Sequence, residues 1–342
     1  MLEVNVRNNQ IFFGDGSYED FSLNFQRTLR IPEDGKTYPL PPGLGNFPVC
    51  RVEDYRDTVP QSWLKHGGVF IPMYQREALW IRFNSRSRRW KPNALKVAVG
   101  KINAVSGKPW NQQLQPTEKD YLVSPPQPWL DGINAGKGFV KQFVAMPLGM
   151  GYTVEGQVTG KEEFGGIQII VYEPKPGKFR NPRYSNYDSA WDSLESFSAE
   201  AVPRRRASKS AEMGIAAGGK MKQKIYPDPH GIDTWDENDY GRVYVHIVNS
   251  MMYREITGKE PPATPITAKT YAQYKLPWYD LYDENLSDIS ASDELSQVKT
   301  VKEMEEQDYW NPLQDDDSVD IHGSPIYTQT VKSPYKVTDG DW

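Results

Sequence analysis

The stretch "IYPDPHGIDTWDENDYGRVYVHIVNS", residues 225–250, holds the densest group of side chains that could do chemistry. His230 and His246 are two of the four histidines in the chain, and Asp228 and Asp233 lie close to His230 in sequence. Imidazole and carboxylate groups together can bind a transition metal or transfer a proton. One hypothesis is therefore a metal-assisted or carboxylate/histidine hydrolase. It would use Asp228, His230, Asp233 and His246 in catalysis, with Asp228, His230 and His246 as metal ligands.

The same stretch also has a structural interpretation. Prolines and a glycine around Asp228 are typical of turns, and turn aspartates accept hydrogen bonds from backbone amides. His246 alternates with apolar residues in a strand, so its side chain faces either a pocket or the core. A calcium loop is excluded, because counting from Asp228 puts Gly231 at position 4, whereas the EF-hand needs its glycine at position 6. The pattern favours the structural interpretation.

Other motifs predict neither a cofactor nor a nucleophile. "GIAAGGK", Gly214–Lys220, matches a phosphate loop up to its lysine, but Met221 stands where a hydroxyl would bind magnesium. We interpret this segment as a flexible glycine turn. Cys50 is the only cysteine, which excludes an intramolecular disulfide, and its apolar neighbours favour a packed thiol.

A glycan-binding module is a further hypothesis. "KPWNQQLQPTEKDYLVSPPQPWLDG" contains Trp110 and Trp129 with amide, tyrosine and carboxylate side chains between them. Exposed aromatic rings beside polar groups can stack on a sugar. A tryptophan beside prolines can equally clamp the end of a sheet.

The charge distribution suggests a docking arm. Residues 283–342 contain 15 Asp and Glu against 4 Lys, a balance of −11, so the rest of the chain carries −5 + 11 = +6. Tyr309, Trp310 and Trp342 are aromatic anchors within this acidic segment. Polar segments with such anchors are typical of arms that fold on a surface.

A basic patch offers a receptor for this arm. "RFNSRSRRWKPNALK" contains Arg82, Arg86, Arg88, Arg89 and Lys91 around one tryptophan. Such a patch could hold phosphates and stack a base, but the sequence pI of about 5.6 disfavours nucleic acid. Self-contact with the acidic arm is the better interpretation.

The leading functional hypothesis is a non-enzymatic structural or interaction protein. It would be a self-assembling subunit, forming a homo-oligomer through its C-terminal arm. The arm would dock on its own body or on a neighbouring copy near Arg82–Lys91.

The spacing of short apolar segments predicts a β-rich fold. Segments such as "FSLNFQRTLRI", "ALKVAVGKINAV" and "YTVEGQVTG" read as strands between turns, which is typical of an antiparallel β-sandwich or barrel. A strand at 242–249 leads into a helix from Ser250, and Thr267 begins another helix. The predicted organisation is a β-sandwich-like core at 1–175, a linker or long loop at 176–212, an α+β module at 213–282 and an extended acidic arm at 283–342.

No targeting or membrane segment is evident. The N-terminus lacks a basic region followed by an apolar core, and no apolar run is long enough to span a bilayer. A cytoplasmic protein is expected, and leaderless export remains open.

Several longer segments resemble a known group of proteins. "TLRIPEDGKTYPLPPGLGNFPVCRVEDY", "KQFVAMPLGMGYTVEGQVTGKEEFGGIQI" and "LPWYDLYDE" are similar to segments of uncharacterised bacterial and fungal proteins. The resemblance covers most of residues 27–284. It implies that core and module belong to one architectural unit, and it implies no activity or cofactor.

Overall fold

A large sheet organises the chain in a computed structural model. The structure describes residues 2–14, 21–84, 91–115, 119–179, 212–263, 265, 267–273, 275, 277–282, 286–306 and 326–330. The first strands are β1 (Val4–Arg7), β2 (Gln10–Phe13), β3 (Phe21–Thr28), β4 (Thr37–Tyr38), β5 (Cys50–Arg51), β6 (Val69–Met73), β7 (Ala78–Asn84), β8 (Asn93–Val99) and β9 (Ile102–Asn103). The later strands are β10 (Leu122–Ser124), β11 (Trp129–Leu130), β12 (Gly132–Gly136), β13 (Phe139–Pro147), β14 (Ile167–Pro174), β15 (Glu212–Lys222), β16 (Trp235–Asn249), β17 (Trp278–Tyr282) and β18 (Ile326–Thr330).

The helices are short. They are α1 (Gln61–His66), α2 (Val154–Thr159), α3 (Ser250–Thr257), α4 (Ala268–Gln273), α5 (Asp293–Gln297) and α6 (Val301–Glu305), with 3-10 turns at Val52–Tyr55 and Ile232–Thr234. The helices predicted after Ser250 and Thr267 are confirmed as α3 and α4. Thr267 accepts a hydrogen bond from the backbone of Thr270 at 3.1 Å, as an N-terminal cap should.

Sixteen strands belong to one sheet, whose main path runs β1-β2-β3-β7-β13-β15-β16-β14-β8-β10. Neighbouring strands on this path pair antiparallel. Outside the path, β6 pairs parallel with β16, and β4 pairs parallel with β15. The predicted β-rich antiparallel fold is confirmed. The sheet also crosses the boundary predicted between core and module, since β15 and β16 lie between β13 and β14. The predicted linker falls mostly at 180–211, outside the described residues.

The central strands are buried on both faces. Every residue of β3, β8 and β14 is buried. The sequences of β8 and β14 are accordingly mostly apolar, whereas β3 alternates apolar residues with polar ones such as Ser22 and Asn24, which are also buried. One apolar cluster spans the sheet and includes Phe25, Leu95, Ile169 and Ile215. Burial of this kind is the main stabilising force for the fold.

The glycine-rich segment "GIAAGGK" forms part of strand β15, so its interpretation as a flexible turn was wrong. The glycines allow close packing instead. A Cβ at Gly219 would lie 2.4 Å from the Pro32 carbonyl oxygen, and one at Gly218 would lie 2.6 Å from a Val144 methyl group. Only residues without a side chain fit between these neighbours.

The segment "YTVEGQVTG" was also wrongly predicted, since it contains helix α2. Thr153 caps this helix by accepting a hydrogen bond from Gly156 at 3.0 Å, and Gly160 ends it in the left-handed conformation with φ of 77°. Alternation of apolar and polar residues suggested a strand, but the cap and the terminal glycine are helix boundaries.

A buried carboxyl group directly follows β11, which pairs antiparallel with β7. Asp131 is fully buried, and its Oδ2 accepts a hydrogen bond from Trp129 Nε1 at 2.6 Å. Its Oδ1 has no hydrogen-bond partner among the described residues. Burial raises the pKa of Asp131 to about 8, and the tryptophan hydrogen bond opposes this only in part.

Asp131 should make stability depend on pH. Because its folded-state pKa lies above its unfolded value, the stability present in acid is lost as pH rises towards the folded pKa. As the pH rises from about 5 to about 8, we expect the free energy of unfolding of Asp131→Asn to increase by on the order of 3 kcal/mol relative to that of the parent. Urea unfolding at both pH values measures this. The control is Asp54→Asn, whose side chain is exposed. Parallel curves for parent and Asp131→Asn would contradict the expectation.

Candidate functional site

The structure does not bring the four residues of the hydrolase hypothesis together. Asp228 Oδ2 accepts hydrogen bonds from Tyr121 Oη at 2.7 Å and Trp235 Nε1 at 2.9 Å. Its Oδ1 accepts one from the backbone amide of His230 at 2.7 Å. The His230 ring lies edge-on to Phe179, with ring centroids 5.0 Å apart. Asp228 therefore organises a turn, as its structural interpretation predicted.

His246 lies in a different cluster, made of stacked rings. Its ring centroid is 4.5 Å from that of Trp63 and 4.4 Å from that of Tyr244, and His66 stacks on Tyr244 at 4.6 Å. Residues three apart share one side of α1, and residues two apart share one face of β16. The stack is thus a clamp between α1 and β16.

The clamp borders a small cleft lined by Trp63, Leu148, Phe164, Gly166, Glu212, Met213, His246 and Ile247. Its free volume of about 10 Å³ leaves room for about one water molecule. Asp233 does not line the cleft and lies exposed in the 3-10 turn. Within the described residues, no group of three or more His, Cys, Asp and Glu side chains is placed to hold a metal ion.

His246 is held neutral by its surroundings. Burial lowers its pKa to about 3, the hydrogen bond from Nε2 to the Gly67 carbonyl at 3.1 Å partly opposes this, and His66 lowers it further. The charged form of a buried imidazole is disfavoured because the site cannot solvate it.

Stability should therefore fall as pH falls from the unfolded pKa of histidine towards the folded pKa of His246. The unfolded state binds a proton that the folded state does not accept. His246→Phe keeps a ring beside Trp63 but has no group to protonate. As the pH falls from about 7 to about 4, we expect its free energy of unfolding to decrease by on the order of 2 kcal/mol less than that of the parent. Urea unfolding at the two pH values is the measurement. Equal losses in both proteins would show that His246 already titrates normally when folded.

The tryptophans of the glycan hypothesis do not form one platform. Trp129 is 6% exposed, and its indole nitrogen donates a hydrogen bond to Asp131. Trp110 is half-buried against a separate cluster that contains Leu114 and Trp235. The burial of Trp129 removes it as a stacking surface.

The basic patch is only partly described. Arg82 lies half-buried in β7, opposite Asn24 and Trp129 in neighbouring strands. Lys91 forms an ion pair with Glu173. Arg86, Arg88 and Arg89, like Tyr309, Trp310 and Trp342 of the arm, lie outside the described residues.

The most extensive candidate site is the surface that holds residues 286–306. We call residues 286–306 the docked arm. Four apolar anchors of the docked arm are buried: Ile289 at 4% exposure, Leu295 at 0%, Val298 at 3% and Val301 at 0%. Three of them join the central apolar cluster. The docked arm is therefore part of the folded core.

Side chains of the body capture the backbone of the docked arm. Asn134 donates to the Ser290 carbonyl at 2.9 Å, and Lys141 donates to the carbonyls of Ser296 and Val298. Gln157 both donates to and accepts from the backbone of Lys299, at 3.0 and 2.7 Å. Backbone capture of this kind is how proteins bind extended peptides.

Carboxylates extend these contacts at both ends. Asp288, in the docked arm, accepts hydrogen bonds from the backbone amides of Gly138 at 2.5 Å and Ile225 at 2.8 Å. At the other end, Glu33 of the body accepts one from the Lys302 amide at 2.6 Å. We call the surface formed by Glu33, Arg76, Asn134, Lys141 and Gln157, with the strands that carry them, the arm groove.

Two ion pairs join the docked arm to the body. Arg76 pairs with Glu305, with side chains 4% and 12% exposed. Lys108 pairs with Glu294, with side chains 48% and 37% exposed. Burial lowers the pKa of Lys141, and the nearby Glu303 carboxylate partly opposes this. These contacts lie within one chain, and their basic partners are not the Arg82–Lys91 patch.

Local sequence explains why the docked arm folds as it does. Ser292 caps α5 through Leu295, and Thr300 forms a capping box with Glu303 at the start of α6. On the groove side, Glu162 accepts hydrogen bonds from the amides of Gly149, Gly151 and Thr153. This carboxylate holds the loop that positions α2 and its Gln157.

Leu295 should be an energetic anchor. It is fully buried, and removing a buried leucine side chain leaves a cavity. We expect Leu295→Ala to lower the free energy of unfolding by about 2–4 kcal/mol. The control is Gln297→Ala, two residues away and exposed, which should change it by less than about 0.5 kcal/mol. Urea unfolding compares the two, and equal effects would show that the arm does not dock as described.

Sequence reasoning predicted an anchored arm but not the groove that receives residues 286–306. Asn134, Lys141 and Gln157 come from β12, β13 and α2 and carry no shared motif. The capping residues Ser292 and Thr300 are the sequence signals that could have indicated short helices at the start of the arm.

Comparisons with known proteins add no relative. No family model, curated protein or solved structure matches this chain. Within the described residues, none of the helices is long and apolar enough to cross a membrane.

Proposed function

We propose that this chain is a cytoplasmic structural or interaction protein that forms homo-oligomers through its C-terminal arm, residues 283–342. The observation that carries the proposal is the docked arm, whose aliphatic anchors enter the core while body side chains hold its backbone. An arm that packs into a complementary groove is better suited to mediate assembly than a tail exposed to solvent. The bacterial and fungal proteins that its segments resemble would share this architecture.

Charge supports the same proposal. The arm carries −11 and the rest of the chain +6, so arm and body attract each other within one copy and between copies. Tyr309, Trp310 and Trp342 would supply further anchors, and Arg82–Lys91 a further receptor. The hydrolase hypothesis lacks a comparable basis, because Asp228 and His246 lie in separate clusters.

Light scattering coupled to size-exclusion chromatography tests the proposal. We expect the full chain to elute as an oligomer, with a mass that rises with concentration and falls with salt, because charge attraction is screened. Deleting residues 286–342 should give a monomer.

Because the deletion removes core anchors, circular dichroism must show that the shortened protein is folded. Leu295→Asp in the full chain provides a second variant, since a buried charge should loosen the docked arm. A full chain that is monomeric at every concentration would exclude the assembly function.

A further inference from the structure

The arm groove is built to be filled. Lys141 is 8% exposed and Asn134 is 3% exposed, and both donate hydrogen bonds to carbonyls of the docked arm. Leu295 and Ile289 fill apolar space between strands of the body. An empty groove would expose this apolar surface and leave the lysine and amide without these partners, so an occupant stabilises the folded body.

A second copy of the chain carries an occupant that fits. Every contact that the docked arm makes in its own groove is available to the same arm from a neighbour, so exchange changes no contact chemistry. The balance between the two arrangements then depends on the linkage to the body and on protein concentration. The docked arm has six carboxylates and two lysines, and two of these carboxylates, those of Glu305 and Glu294, pair with Arg76 and Lys108 of the body.

We propose that the arm groove of one copy takes residues 286–306 of a second copy, in the register seen within the single chain. This inference rests on the proposed assembly function and specifies its partner and its site. In this arrangement the partner copy contributes Ile289, Leu295 and Glu305 to the groove in place of the chain's own residues 286–306.

The Arg76–Glu305 pair is the best reporter of exchange. Both side chains are nearly buried, and a like-charge contact at an enclosed position is far more costly than one at the surface. Arg76→Glu reverses the charge in the groove and leaves the arm of the same chain unchanged. Glu305→Arg reverses the charge in the arm and leaves the groove of the same chain unchanged.

The experiment mixes these two full-length variants. Each variant alone should assemble at least about tenfold more weakly than the parent, since each has only mismatched pairs. When the two are mixed after brief unfolding and refolding, each groove can receive a matching arm from the other variant. We expect assembly to return, and native mass spectrometry of one size-tagged variant should show mainly mixed oligomers.

The controls separate exchange from docking within a chain. The double variant Arg76→Glu/Glu305→Arg should regain assembly alone, which shows that the reversed pair is tolerated. Reversal of the exposed pair, with Lys108→Glu and Glu294→Lys tested in the same way, should have little effect. Truncation after Glu306 keeps the exchanged segment and should remain oligomeric.

Two results would overturn the inference and leave the assembly function standing. One is a double variant that assembles while the mixture of single variants does not, which places the arm in its own groove. The other is loss of the oligomer on truncation after Glu306, which assigns assembly to residues 307–342. A monomeric parent would instead remove both proposals.

Discussion

The whole structure depends on the pairing of β15 and β16 with strands that precede them by many residues. β13 pairs with β15 and β14 pairs with β16, and these are the most extensive strand contacts in the described chain. The middle of the sheet is therefore completed by residues that follow position 211. Gly218 and Gly219 allow this insertion because side chains there would collide with Val144 and Pro32.

That central pairing also creates the arm groove. β12, β13 and β15 lie beside one another, and α5 and α6 of the docked arm pack on them. Asn134 and Lys141 come from these strands and hold the arm by its backbone, which fixes its position without requiring a particular sequence. Specificity then comes from the aliphatic anchors and from the ion pairs at Arg76 and Lys108.

The sequence allowed prediction of what depends on local pattern. Apolar runs between turns gave the β-rich class, and capping residues gave α3 and α4. Prediction failed where distant packing decides the outcome: the glycines of β15 look like a turn unless Pro32 and Val144 are known to lie against them. His246 and Asp228 are 18 residues apart in sequence, but the length of β16 carries them to different clusters. The charge of residues 283–342 led to the prediction of an arm, whereas the groove that holds residues 286–306 could not be predicted, because five residues from separate elements build it.

The order of strands has a consequence for synthesis on the ribosome. β13 and β14 are made before β15 and β16, so the first half of the sheet emerges with its central edges unpaired. The docked arm, which closes part of the core, emerges later still. The nascent chain must therefore keep these apolar strands from associating wrongly until β15 and β16 have left the exit tunnel. The central pairings of the sheet therefore cannot be complete until residue 249, the end of β16, has been synthesised.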